Sequence, residues 1–126
     1  LGSVKIDQLD KNKFDDELIY KRALHVVTEN KRTLEAKNCL IKTDMKQFGH
    51  LMNLSHLSYS KDFEASTTDV DILTKRSVES GAIGCRLTGG GFGGFTVSLI
   101  EKKYYDKWYN KMLGFYSKNK FLKFKD

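Results

Sequence analysis

The chain has 126 residues, of which 40% are hydrophobic and 12% aromatic, and it carries a formal net charge of +6 at pH 7. That length suits one domain able to bury about two-thirds of the surface its unfolded chain would expose, and the apolar content excludes a disordered tail. No apolar run approaches the ~20 residues that cross a bilayer, and no secretory apolar stretch opens the sequence, so a cytoplasmic location is expected.

Residues 1–12 are polar, with Val4, Ile6 and Leu9 as anchors, and read as a linker or short edge element. Asp15, Asp16 and Glu17 then place negative charge where a helix start favours it. Ile19, Ala23, Val26, Val27 and Leu34 recur at near-helical spacing up to about Ile41, which predicts a long amphipathic helix. Within it Glu29 and Arg32 share a face, while Lys31 and Glu35 form a separate i,i+4 pair. The spacing by itself reads as surface salt bridging, and His25 reads as a packed or capping histidine rather than a base.

Asp44 followed by Gln47 resembles a capping box, after which Phe48, Leu51, Met52, Ser55 and Tyr59 line one face of a second helix. Gly49 interrupts that helix, and another helix is expected to pack closely there. His50 and His56 lie about 240° apart around a helix, which rules out a helical zinc pair, and no metal is assigned. Residues 60–68 have no consistent period; Asp62 and Glu64 read as hydrogen-bonding and capping groups, with general acid and base as the alternative. Thr68 with Asp71 is a capping signature for a third helix, with Val70, Leu73, Ser77 and Val78 facing inward and Gly81 at the left-handed cap.

Six of the ten glycines then fall within residues 84–94. On one side Cys85 and Leu87 alternate with Arg86 and Thr88; on the other Phe95, Val97 and Leu99 alternate with Thr96 and Ser98. Each flank reads as a half-buried strand, so the glycines join two strands in a hairpin. Gly89, Gly91 and Gly94 satisfy G-x-G-x-x-G, but a dinucleotide-binding loop requires a helix after the third glycine, and here a β-branched strand follows. Two explanations remain: a tight connection shaped by packing, or a bare backbone that lets a phosphate or a phosphate-binding neighbour approach.

Tyr105, Trp108, Tyr109, Met112 and Tyr116 repeat at helical spacing and are expected to pack an aromatic stripe on the sheet. Gly114 marks a break, and Leu122 and Phe124 alternate with Lys123 and Lys125 as a closing strand. The lysines are otherwise scattered and no nucleic-acid motif accompanies them, which makes the charge a solvated face; a free-standing basic module is the competing reading. Cys39 and Cys85 form no ligand spacing and read as buried thiols. Helices outnumber strands and the strands come late, so the class is α+β, helices on a small antiparallel sheet with a glycine-rich hairpin.

The glycine stretch also carries a family resemblance. Residues 84–97, G-C-R-L-T-G-G-G-F-G-G-F-T-V, resemble the third motif of the GHMP sugar kinases in its galactokinase version, G-S-R-M-T-G-G-G-F-G-G-C-T-V, with Cys85, Leu87 and Phe95 as departures. Residues 25–36 resemble the H-V-V-x-E-x-x-R helix of galactokinases, and residues 62–71 resemble their D-Y-E-V-S-C-P-E-L-D segment. Order and spacing agree from about Val4 to about Ile100, and the tail departs from the family pattern.

The resemblance implies that residues 1–126 are the C-terminal domain of the GHMP kinase fold. Galactokinases transfer the γ-phosphoryl group of ATP to the anomeric hydroxyl of galactose, using Mg2+. Their sugar-binding motif, their P-x-x-x-G-L-S-S-S-A phosphate loop and their catalytic aspartate precede the matched region, and none occurs in this sequence. The resemblance therefore implies no catalytic residue and no metal ligand here, a fragment inactive alone, and its own N-terminal domain as partner. It places Thr88, Gly89, Gly90, Gly91, Phe92, Gly93 and Gly94 near the active site as cofactor-binding support, against the phosphate-binding loop of the N-terminal domain, with Arg86 in support. An N-acetylgalactosamine kinase and a catalytically silent sugar and ATP sensor are the alternatives, because residues 51–58 resemble the first as well.

Overall fold

The computed structural model describes residues 4–121. Two short 3-10 turns, Ile6–Gln8 and Lys11–Lys13, lead into α1 (Glu17–Ile41), α2 (Met45–Lys61), α3 (Thr68–Ser80), β1 (Gly84–Thr88), β2 (Phe95–Leu99) and α4 (Tyr105–Leu113). Among the described residues the architecture is α+β, four helices around one antiparallel pair of strands. The closing strand expected at Leu122 and Phe124 lies outside the described residues. Among the described residues no helix is long and apolar enough to cross a membrane.

Helices α1, α2 and α3 begin where short polar side chains take up free backbone donors. Asp16 accepts from Leu18 N–H at 2.7 Å to start α1, and Asp44 accepts from Gln47 N–H at 3.0 Å to start α2. The third cap falls one residue earlier than the capping signature suggests: Thr67, not Thr68, accepts from Val70 N–H at 3.3 Å. Gly81 ends α3 at φ 122°, a conformation that a Cβ resists.

In α1 the buried positions are Ala23, His25, Val27 and Cys39, whereas Ile19 and Leu34, expected inside, are exposed. In α3 they are Val70, Thr74, Ser77 and Ser80, while Val78 is exposed and Leu73 half-buried. The α3 face is that polar because its partners are polar too. Ser77 Oγ lies 2.8 Å from Ser98 Oγ and accepts from Trp108 Nε1 at 3.1 Å, while Ser98 Oγ donates to Cys85 Sγ.

Strand β1 lies between α2 and α3. Gly49 meets this strand rather than another helix: a Cβ on Gly84 would overlap the Gly49 backbone, and one on Gly49 would reach Ile83 C at 2.8 Å. Cys85 pairs with Ser98 and Leu87 with Thr96 on the inner face, while Arg86 pairs with Val97 and Thr88 with Phe95 on the other. The apolar alternation of β2 therefore points away from the core, with Phe95 65% exposed. The aromatic stripe of α4 packs mainly on α3 instead of the sheet, and Trp108 and Met112 close over Ala82.

Candidate functional site

The β1–β2 connection is six residues, 89–94, and its backbone explains most of its glycines. Gly89, Gly91, Gly93 and Gly94 all have positive φ, between 92° and 117°, and Phe92 has φ 58°. Gly91 is doubly required, because a Cβ there would stand 2.6 Å from Ala65 O and 2.9 Å from the Tyr59 hydroxyl oxygen. Phe92 N–H donates to Ala65 O at 2.7 Å, which rests the loop on the segment between α2 and α3. Gly90 is different: its φ is not in the left-handed region, and nothing within 4 Å would meet a Cβ there. Packing thus accounts for Gly91, and at Gly90 the backbone is bare on its outer side.

A strand follows Gly94, so the dinucleotide-binding arrangement is absent from this loop. Thr88, Gly89, Gly90 and Phe92 are exposed, with the Phe92 ring 77% accessible. Gly93 and Gly94 likewise have open space where a side chain would stand. The loop presents backbone outward, as a surface that approaches phosphate or another phosphate-binding loop requires.

The loop's footing is held by polar contacts. Arg22 Nη1 donates to Asp62 O at 2.9 Å and Nη2 to Glu64 Oε2 at 3.0 Å, while its guanidinium lies over Phe63. Asp62 and Glu64 thus bind within the fold. Ser58 Oγ donates to Asp62 Oδ2 at 2.7 Å and so must accept from His25 Nδ1–H at 3.0 Å, which makes His25 a packed donor. Burial lowers the His25 pKa from its usual 6.5, the Arg32 and Arg86 charges add to this, and Glu29 and Asp62 oppose it.

Glu29 is the centre of a second network. Its carboxylate accepts from Ser55 Oγ, from Arg32 Nε at 2.9 Å and from Arg86 Nη1 at 3.3 Å, joining α1, α2 and β1. Burial pushes its pKa up, but the Ser55 and Arg32 hydrogen bonds and the Arg32 and Arg86 charges outweigh this and hold it below the usual range. The Glu29–Arg32 pair is therefore more than a surface salt bridge. Arg86 also donates from Nε to Leu87 O at 3.0 Å, so its guanidinium braces the strand that leads into the loop.

The edge of β1 away from β2 is covered by α2 side chains. Asn53 Oδ1 accepts from Cys85 N–H at 2.9 Å and its Nδ2 donates to Ile83 O at 3.2 Å, while His56 Nδ1 accepts from Leu87 N–H at 3.3 Å. Sequence reasoning missed Asn53, His56, Tyr59 and Ala65 as supports of the loop. Asn53, His56 and Ala65 carried one signal, membership of segments 51–58 and 62–71, and Tyr59 carried only its place on one face of the second helix. Among the described residues no group of three or more His, Cys, Asp or Glu side chains stands close enough to hold a metal ion.

With this geometry in view, the relatives are informative. Residues 36–116 match the family described as GHMP kinases C terminal. The chain is 40% identical over 105 residues to a galactokinase of Levilactobacillus brevis, covering 81% of this chain and 27% of that protein. It is 45% identical over 98 residues to a galactokinase of Clostridium acetobutylicum, covering 77% of this chain and 25% of that one. The crystal structure of Lactococcus lactis galactokinase complexed with galactose superposes with a TM-score of 0.81 at 32% identity, covering 87% of this chain and 29% of that one. The chain spans about a quarter of the length of the curated relatives it matches. Family match and superposed fold agree: the chain belongs to the GHMP kinases, as a C-terminal domain of that family.

Proposed function

We propose that this chain is the C-terminal domain of a galactokinase, a cytoplasmic transferase that phosphorylates galactose at its anomeric hydroxyl with ATP. The observation that carries the reading is the loop of residues 89–94, bare on its outer side and braced on its inner side, within a chain similar to galactokinases over about four-fifths of its length. Phosphoryl transfer is mostly positioning and charge stabilisation, so a rigid backbone surface that closes on the phosphates is a contribution a domain without catalytic side chains can make. In this reading Thr88 and residues 89–94 lie against the phosphate-binding loop of an N-terminal domain. Arg86 acts by bracing β1. Mg2+, which neutralises phosphate charge in such reactions, takes its ligands from that other domain, as do the acceptor sugar and the catalytic base.

The test is coupled ADP release by the longest native polypeptide containing this sequence. Galactose and N-acetylgalactosamine are offered side by side, with this chain alone as control. Turnover with galactose, and none from the chain alone, is the expected result. Preference for N-acetylgalactosamine would reassign the substrate, and silence with both sugars despite bound ATP would make the protein a sensor rather than an enzyme.

A further inference from the structure

The strand that enters the glycine loop has one titratable side chain on its covered edge. His56 Nδ1 accepts the Leu87 N–H, which leaves Nε2 to carry the ring proton and donate to Asp71 Oδ1 at 3.1 Å. Asp71 is held in turn: Ser66 Oγ donates to Oδ1 at 2.6 Å and Ser60 Oγ donates to Oδ2 at 2.8 Å. Ser66 follows Ala65, whose carbonyl receives the Phe92 N–H from the loop. One imidazole thus ties together both supports of the loop, the end of β1 and, through Asp71, the segment on which the loop rests.

We infer that His56 is a positioning residue whose neutral ring, protonated at Nε2 and accepting Leu87 N–H at Nδ1, seats the glycine loop for the nucleotide, so that protonation of this ring unseats it. This rests on the kinase reading above. A second proton at Nδ1 removes the lone pair that Leu87 N–H needs and turns two donors toward each other. Leu87 and His56 are both buried, so water does not readily replace the lost acceptor. The strand end must then move, and residues 88–94 move with it.

The charges around the ring decide when this happens. From α3 the Asp71 carboxylate favours the protonated ring, and from β1 the Arg86 guanidinium opposes it. From α1 Glu29 engages Ser55 and Arg86 instead of the imidazole. Burial is the largest influence, and the balance holds the His56 pKa below its usual 6.5. The ring is neutral at neutral pH, and the loop unseats only on the acid side.

The test measures KM for ATP and kcat of the native kinase polypeptide from about pH 5.5 to about pH 8.5, the range in which histidine charges. In the wild type KM for ATP is expected to stay flat above pH 6.5 and to rise below it, by less than about tenfold at about pH 5.5 because the His56 pKa lies below 6.5. His56→Asn places a non-titrating Oδ1 where Nδ1 stood; it should flatten that acid rise and impair ATP binding less than His56→Leu, which should raise KM for ATP at every pH. His50→Asn, at an exposed position on the same helix, should leave the profile as it is. An acid rise that persists in His56→Asn, or a wild-type KM in His56→Leu, would overturn the inference. NMR of the same polypeptide labelled in its histidines supplies a readout independent of turnover. The Nε2–H tautomer at His56, with loop amides shifting as it titrates, supports the relay; an Nδ1–H tautomer or indifferent loop amides refute it. Absence of turnover with any sugar would refute the kinase reading alone, and the NMR titration would still decide whether His56 holds the loop.

Discussion

Gly90 and Gly91 are neighbours of which the fold needs only the second, and replacing each by alanine separates structure from function. Gly91→Ala forces a side chain into φ +92°, which costs about 1–3 kcal/mol. Its Cβ would also press on Ala65 O at 2.6 Å, disturbing the Phe92–Ala65 hydrogen bond for about 1 kcal/mol more. The sum, about 2–4 kcal/mol, lowers the melting temperature by about 6–16 °C at ~3–4 °C per kcal/mol for a domain of this size. Gly90→Ala meets neither obstacle and is expected to leave stability unchanged or raise it by about 0.4–1 kcal/mol, through a less flexible unfolded chain. If the bare face at Gly90 lies against the phosphate machinery, a methyl group there displaces the loop by up to about 1 Å and lowers kcat about a hundredfold. Differential scanning calorimetry and coupled ADP release on the same native polypeptide read the two effects. Unchanged turnover in Gly90→Ala would refute the argument that the outward backbone is bare for a partner.

Glu29→Gln weakens the acceptor shared by Ser55, Arg32 and Arg86 and should cost about 1–3 kcal/mol in urea unfolding, since it leaves partly buried guanidinium groups without their counter-charge; a midpoint equal to wild type would show that the network contributes nothing. His25 and His56 both have folded pKa values below 6.5, so the unfolded chain binds more protons there. Their contribution to stability is complete above pH 6.5 and is lost as pH falls from 6.5 through the folded values. Urea midpoints that stay flat across that window would contradict it. Thr67→Ala should cost about 1 kcal/mol and Thr68→Ala very little, because only the first accepts a backbone N–H; equal costs would remove Thr67 as the cap.

The helices were legible because their signals are local. Charged first turns, Asp44 before Gln47, and Gly81 after a periodic run each act within four residues of where they are read. The glycine hairpin was legible for the same reason, since alternation on both flanks and positive-φ residues between them describe one object. The inward face of β2 was not. Phe95 and Val97 read as core, yet the inward-facing partners of Cys85 and Leu87 are the half-buried Ser98 and Thr96, and nothing near Ser98 in sequence reveals that Ser77 and Cys85 will hydrogen-bond to it. The apolar face that results, with Phe95 and Val97 exposed, lies beside the loop. The docking of α4 on α3 was missed similarly, because an aromatic stripe states that a helix is buried and not against what. Of the candidate site, the loop itself was readable, whereas the supports Asn53, His56 and Ala65 reach it across 27 to 32 residues of sequence, and only folding brings them there.

The most direct test of the central claim, that residues 88–94 close on the nucleotide phosphates of a sugar kinase, is hydrogen–deuterium exchange of the native polypeptide with and without galactose and a non-hydrolysable ATP analogue. The account predicts new protection in peptides covering residues 84–100, centred on the loop, and none in peptides covering α4. Ligand-induced protection elsewhere in the polypeptide, with residues 88–94 exchanging as fast as before, would contradict it.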